Sequence, residues 1–143
     1  MRTIVVVDDD GETRVLVRAL LRTMEGAVSV VGEAGDGETA LEMVRRERPA
    51  IVITDLMMPR LNGVELARSI REELPQTRII LLGSHEDDAY RLKASDSGAD
   101  IFVNKSVLGT ALVSAVRGLV TLLDGEPFSH GPGQEGGGGY GWG

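Results

Sequence analysis

The sequence predicts a doubly wound α/β fold built on a five-stranded parallel sheet. Three observations predict it. Four short apolar runs, Ile4–Val7, Ile51–Thr54, Ile79–Leu82 and Ile101–Val103, are rich in β-branched residues and lack polar alternation, as strands buried on both faces do. Stretches with apolar residues at helical spacing lie between them. Each run ends in residues that packing does not require: Asp8, Asp9 and Asp10, then Asp55, then Gly83 and Ser84, then Asn104 and Lys105. In open α/β sheets ligands bind outside the carboxyl ends of the strands, so these residues mark the expected site.

The elements follow in order. Thr3–Val7 is the first strand, and Gly11–Met24 a helix with Val15, Leu16, Ala19, Leu20 and Met24 at helical spacing. Val28–Glu33 alternates more and reads as an edge strand. Glu38–Arg46 is a helix that turns Ala40, Leu41 and Val44 inward, and Pro49 separates it from the strand Ile51–Thr54. Gly63–Leu74 is a helix with Val64, Ala67 and Ile70 inward, stopped by Pro75. Arg78–Leu82 is the fourth strand. Asp87–Ser97 is the weakest helix, with only Ala89, Leu92 and Ala94 as its apolar face. Asp100–Val103 is the fifth strand, after which Ser106 is expected to cap a last helix over Val107–Leu123.

Five βα repeats argue for a three-layer sandwich, and right-handed crossovers leave few topologies. The flavodoxin-like order 2-1-3-4-5 fits five strands and places its switch point between strands 1 and 3. Those two strands end in Asp8/Asp9 and Asp55, so topology and charge placement agree.

With 143 residues the chain is expected to form one domain, residues 1–124, followed by a flexible Gly-rich tail, residues 125–143. The tail reads as passive, although Tyr140 and Trp142 offer anchors for a partner. No apolar run is expected to approach membrane-spanning length, and Met1-Arg2-Thr3 leads straight into a strand, so neither membrane insertion nor a signal peptide is expected. A cytoplasmic protein follows. The chain has no cysteine, which excludes disulfide and thiolate chemistry. A net charge of −7 argues against direct binding of nucleic acid, which needs a basic patch.

If the strands share one sheet, Asp8, Asp9 and Asp55 bring three carboxylates close together. They cannot all stay ionised without help. A hard divalent cation provides it, and oxygen-only ligands point to Mg²⁺, which keeps several waters and needs few protein ligands. Lys105 adds an ammonium. Two positive centres beside a carboxylate form a receptor for a phosphoryl group, with Asp55 as nucleophile. Two other motifs carry rival readings. Asp8-Asp9-Asp10-Gly11-Glu12-Thr13 is similar to the opening motif of haloacid dehalogenase phosphatases, but Glu12 stands in the Thr place and Asp55 would go unused. Gly35-Asp36-Gly37-Glu38-Thr39-Ala40 matches a degenerate dinucleotide fingerprint, but it follows the second strand, where a turn and helix cap explain it better.

Over about Met1–Leu123 the chain resembles the receiver domain of bacterial two-component response regulators. The resemblance rests on Ile4-Val5-Val6-Val7-Asp8-Asp9, Thr54-Asp55-Leu56-Met57-Met58-Pro59, Leu61-Asn62-Gly63 and Asn104-Lys105. Val31–Leu41 is similar to receivers of the LuxR/NarL-type subfamily. The resemblance implies a switch rather than an enzyme acting on a separate substrate. Asp55 would take a phosphoryl group from a histidine kinase or phosphotransfer protein. Asp9, Asp55 and the Met57 carbonyl would hold Mg²⁺, with Asp8 assisting through water. Lys105 would pair with the phosphoryl group, and Phe102 matches an aromatic that turns inward on activation. His85 and Met57 would tune hydrolysis. The surface formed by the fourth predicted helix, the fifth strand and the last helix would change; the last helix carries apolar residues on more than one side, and the surplus face suits a homodimer or a partner helix, the alternative being a downstream domain that covers it.

The chain departs from the family where strand 4 ends. Gly83 stands where receivers place a switch Thr or Ser, and Ser84 follows where a small residue is favoured. A bulge at Gly83 would let Ser84 substitute. Asn62 replaces a common Asp, and Ser106 the Pro often found after the lysine. A second function class therefore stays open: an interaction module that keeps the fold and works without phosphate.

Overall fold

The strand runs assemble as a parallel sheet in this computed structural model, which describes residues 1–84 and 96–125. β1 (Arg2–Val7) lies between β2 (Val28–Ala34) and β3 (Ile51–Asp55), and β4 (Arg78–Gly83) and β5 (Ile101–Asn104) extend the sheet beyond β3. The order is β2-β1-β3-β4-β5, as predicted. The winding reverses between β1 and β3, where Val7 pairs with Thr54, so the crevice opens above those two strand ends.

Alternation along the strands builds two cores. Ile4, Val6, Ile51, Ile53, Ile80, Leu82 and Val103 face α1 (Gly11–Leu21) and the last helix, α4 (Leu108–Leu123). Val5, Val7, Val52, Ile79, Leu81 and Phe102 face α2 (Gly37–Glu47) and α3 (Gly63–Glu73). Each fully buried Ile, Leu or Val contributes about 1.5–3 kcal/mol before the entropy of ordering is counted, so both helical layers are held mainly by apolar burial.

The helix starts are set by short polar residues. Asp10 caps α1, accepting from the Glu12 amide (3.1 Å) and the Thr13 hydroxyl (2.8 Å). Asp36 caps α2 through the Thr39 amide (2.8 Å) and hydroxyl (3.0 Å), so Gly35–Ala40 is a turn and cap. Asn62 and Glu65 form a capping box at α3.

Four local readings differ from the structure. Helix α1 buries Val17, Leu21 and, in the 3₁₀ turn Arg22–Met24 that follows it, Met24, whereas Val15 (69% exposed) and Leu16 (46%) face outward. Residues 15–17 and 19–21 are apolar almost all round, so spacing alone allowed two faces, and the sheet selected the stripe 17, 21, 24. The cap before the last helix is Asn104, which accepts from the Ser106 amide (2.9 Å) and starts a 3₁₀ turn, Lys105–Val107. Residues 96–98, where the fourth predicted helix was to end, form a turn with Gly98 at φ +94°; the rest of that helix, up to residue 95, lies outside the described residues, as do residues 126–143. Lastly, Lys105–Leu123 has a mean hydropathy of 1.7 and is long and apolar enough, by length and composition, to cross a membrane. Its residues Leu108, Ala111, Leu112, Ala115, Val116 and Leu119 are buried against the sheet, so the core accounts for that face. Val113, Val120 and Leu123 are half-buried and Leu122 is 53% exposed, which is the surplus seen in the sequence.

Candidate functional site

Strand alternation explains why the acidic residues meet. Asp8 follows Val6 by two, Asp55 follows Ile53 by two, and Lys105 follows Val103 by two. All three therefore continue the side of the sheet that faces α1 and α4. Asp8 is fully buried and Asp55 is 6% exposed. Lys105 Nζ lies 3.1 Å from Asp8 Oδ2 and 3.2 Å from Asp55 Oδ1. The lysine thus reaches from β5 past the end of β4 to both central strands. Asp9 is exposed at the rim, and Asp8, Asp9 and Asp55 each offer a carboxylate oxygen within 4.8 Å of the others. Asp10 is absorbed by the α1 cap, which leaves these three for the pocket.

The electrostatics follow from that crowding. Burial, and then the neighbouring Asp8 carboxylate, push Asp55 up to about 6, while Lys105 and the Met57 amide pull the other way. Burial opposes the charged form of Lys105, but the Asp55 and Asp8 carboxylates outweigh it and hold the amine above the ordinary lysine value. Asp8 Oδ1 accepts from the Asp10 amide (2.9 Å), and the buried Asp8 Oδ2 has the Lys105 ammonium as its neighbour at 3.1 Å. Three carboxylate oxygens within 4.8 Å of one another, with one ammonium shared by two of them, leave negative charge in excess and form an all-oxygen donor set that suits a hard divalent cation.

The backbone around the pocket is close-fitted. A Cβ on Gly63 would lie 2.2 Å from the Asp55 carbonyl oxygen, so only glycine lets α3 start against the end of β3. The Thr54 hydroxyl, on the opposite face of β3, is buried and donates to the Asp55 carbonyl (3.0 Å). Arg14 Nη1 donates to the Asp8 carbonyl (2.5 Å) while Arg14 Nε pairs with Glu33 (3.1 Å). Sequence reasoning missed Arg14. The available signal was its place near the start of α1, where the helix dipole disfavours a cation unless it has a specific partner.

The remaining predicted residues are more spread. Met57 is 40% exposed beside the pocket, and its amide faces Asp55. Gly83 ends β4 paired with Asn104, and the pairing from Ile80–Ile101 onward runs without the bulge that would have been one route for Ser84 to substitute. Alternation carried one residue past the strand assigns Ser84 to the side of Leu82 and Asp55 without any bulge. Phe102 is buried on the other face, toward α2 and α3. His85 lies outside the described residues.

A family model described as the response regulator receiver domain matches residues 4–117. The chain is 33% identical over 114 residues to the transcriptional regulatory protein DegU of Brevibacillus brevis, covering 80% of this chain and 48% of that protein. It is 39% identical over 115 residues to the probable transcriptional regulatory protein NarL of Mycobacterium tuberculosis, covering 78% of this chain and 52% of that protein. Its structure is similar to that of the receiver domain of AraT, a response regulator of Geobacillus stearothermophilus, with a TM-score of 0.80 at 28% identity over 87% of this chain and 96% of that one. The chain spans about half the length of the curated relatives it matches, which are of the LuxR/NarL type.

Proposed function

We propose, from the premise that this chain belongs to the response regulator receiver domain family, that it is a phosphoacceptor switch of two-component signalling. Asp55 is the acceptor, and a histidine kinase or phosphotransfer protein is the donor. The observation that carries this reading is the Lys105 ammonium set between Asp8 and Asp55, with a third carboxylate, Asp9, in reach of both. With a divalent cation on the carboxylates, the ammonium would be the second of two positive centres that receive a phosphoryl group and compensate charge as it develops.

In the transfer, an Asp55 oxygen bonds to phosphorus as the bond from phosphorus to the donor imidazole breaks, and the departing imidazole takes a proton. Asp9, Asp55 and the Met57 carbonyl would hold Mg²⁺, with Asp8 acting through water. Bound there, the ion supplies charge neutralisation on the phosphoryl oxygens. Lys105 supplies the second positive charge, orients the acceptor, and then exchanges its contact with Asp55 for one with the new phosphoryl group. Met57, exposed beside the acceptor, and His85 tune access of water to the acyl phosphate. Residues 1–124 are the switch domain and residues 125–143 a tail. The signal leaves through β5, α4 and the segment before them, by protein contact or homodimer formation in the cytoplasm rather than by contact of this chain with DNA, which its net charge of −7 disfavours.

A second reading, a phosphate-independent interaction module, is favoured by one observation: Gly83 has no hydroxyl to offer where β4 ends. Ser84 is the substitute on the first reading. One experiment separates them. Incubation with acetyl phosphate and Mg²⁺ is expected to add one phosphoryl group, acid-stable and base-labile, and Asp55→Asn should abolish it. Absence of the adduct, with no spectral response to beryllofluoride, would support the interaction module. Gly83→Ser should enlarge the beryllofluoride-induced shift at Phe102 if the missing hydroxyl weakens coupling to β5.

A further inference from the structure

We infer that Arg14 is a positioning residue for the metal ligands, acting through the Asp8 carbonyl; the inference rests on the Mg²⁺ site proposed above. Asp9, the exposed member of the acidic trio, makes no hydrogen bond or ion pair with the other described residues, so among them its own backbone is what sets where its carboxylate points. That backbone is held from both ends. The Asp8 amide donates to the Ala34 carbonyl on β2 (3.0 Å), and the Asp10 amide donates to Asp8 Oδ1 (2.9 Å). Between them lies the Asp8–Asp9 peptide, whose carbonyl takes the Arg14 donor at 2.5 Å. Rotation of this peptide plane would swing Asp9 and shift Asp8 together.

The guanidinium itself is fixed. Arg14 Nε pairs with Glu33 on β2 (3.1 Å), and Arg18, one helical turn on, closes on the other Glu33 oxygen. Glu33 is held below the ordinary carboxylate range, chiefly by the Arg18 hydrogen bond and further by Arg14. The path therefore runs from an edge strand through a planar, forked cation to the peptide that carries the ligands. Arg18 touches Glu33 but not the Asp8 carbonyl, and this separates two possible roles. A purely electrostatic role for Arg14 predicts that its removal tightens Mg²⁺ binding, because a cation leaves the neighbourhood of three carboxylates. A positioning role predicts the opposite sign.

The test titrates Mg²⁺ alone into the full chain and into R14M, R18M and R14K, read by calorimetry and by backbone amide spectra. R14M keeps the apolar stem and is expected to bind Mg²⁺ about tenfold more weakly, as loss of outer-shell partners typically does. Its Asp9 and Asp10 amide resonances should move before any metal is added. R18M, with the same charge change, should bind within about twofold of the parent, and R14K, which keeps one donor, should fall between. Equal or tighter binding by R14M overturns the inference, as does equal weakening in R18M, which would place the effect in Glu33 and the edge strand. If R14M does not fold, R14K decides, and parental affinity there overturns it. A parent that fails to bind Mg²⁺ overturns the metal site itself, a result distinct from all of these.

Discussion

Replacing Asp55 by asparagine should make the protein more stable at neutral pH. The aspartate is 6% exposed, and burial together with Asp8 raises it from the ordinary 3.8 to about 6. A carboxyl raised in the folded state is protonated more readily there than in the unfolded chain, so its ionisation costs folding free energy. The cost is absent below about pH 4, where both states are protonated, grows as pH rises, and is complete above about pH 6. At roughly 1.4 kcal/mol per tenfold change in the protonation equilibrium, it is on the order of 3 kcal/mol. The asparagine variant carries no charge there and avoids it, which corresponds to a rise in Tm of about 10 °C for a domain of this size. Urea denaturation of both proteins in EDTA at pH 4 to 8 is the assay. The gap between them should be near zero at pH 4 and open through pH 6. Mg²⁺ at ten times its Kd should stabilise the parent by about 1.4 kcal/mol and narrow the gap at pH 7.5. A gap independent of pH, or a parent more stable than the variant at pH 7.5 without metal, would refute the reasoning.

Three other outcomes are expected. Lys105→Ala should keep or tighten Mg²⁺ binding, since a competing cation is removed, but lose the spectral change caused by beryllofluoride; loss of Mg²⁺ affinity in calorimetry would show that the lysine's role is misassigned. Gly63→Ala should cost about 2–3 kcal/mol in urea denaturation and weaken Mg²⁺ binding, because its Cβ would press on the Asp55 carbonyl at 2.2 Å. Leu16→Ser should change stability by less than about 0.5 kcal/mol while Val17→Ala costs about 2 kcal/mol; the reverse ranking would contradict the observed face of α1.

The sheet order and the pocket were legible because they depend on few residues of strong character. Runs of Ile, Val and Leu admit little but buried strands, and aspartates at the ends of strands 1 and 3 coincide with the switch point. The face of α1 was not legible, since apolar residues nearly encircle it and only the partner layer selects among them. The cap before α4 was not, because Asn104 and Ser106 are both competent caps two residues apart. Asp100 was read into β5, yet its carboxylate leaves the ladder to accept from the Ile79 amide (2.8 Å) and pair with Arg71 (2.9 Å). Arg14 was hard to place for a different reason: its position near the start of α1 hinted at a specific partner, but that partner is a main-chain carbonyl, which no residue type marks.

The long reach of Lys105 has a consequence for the rim of the sheet. β5 is an outer strand, joined by its ladder to β4 alone. Its far end is moored to the centre by one ammonium shared between two aspartates. Neutralising or esterifying either anchor slackens that mooring without touching a single ladder hydrogen bond, so an event at the middle of the sheet is felt two strands away as a change in tension.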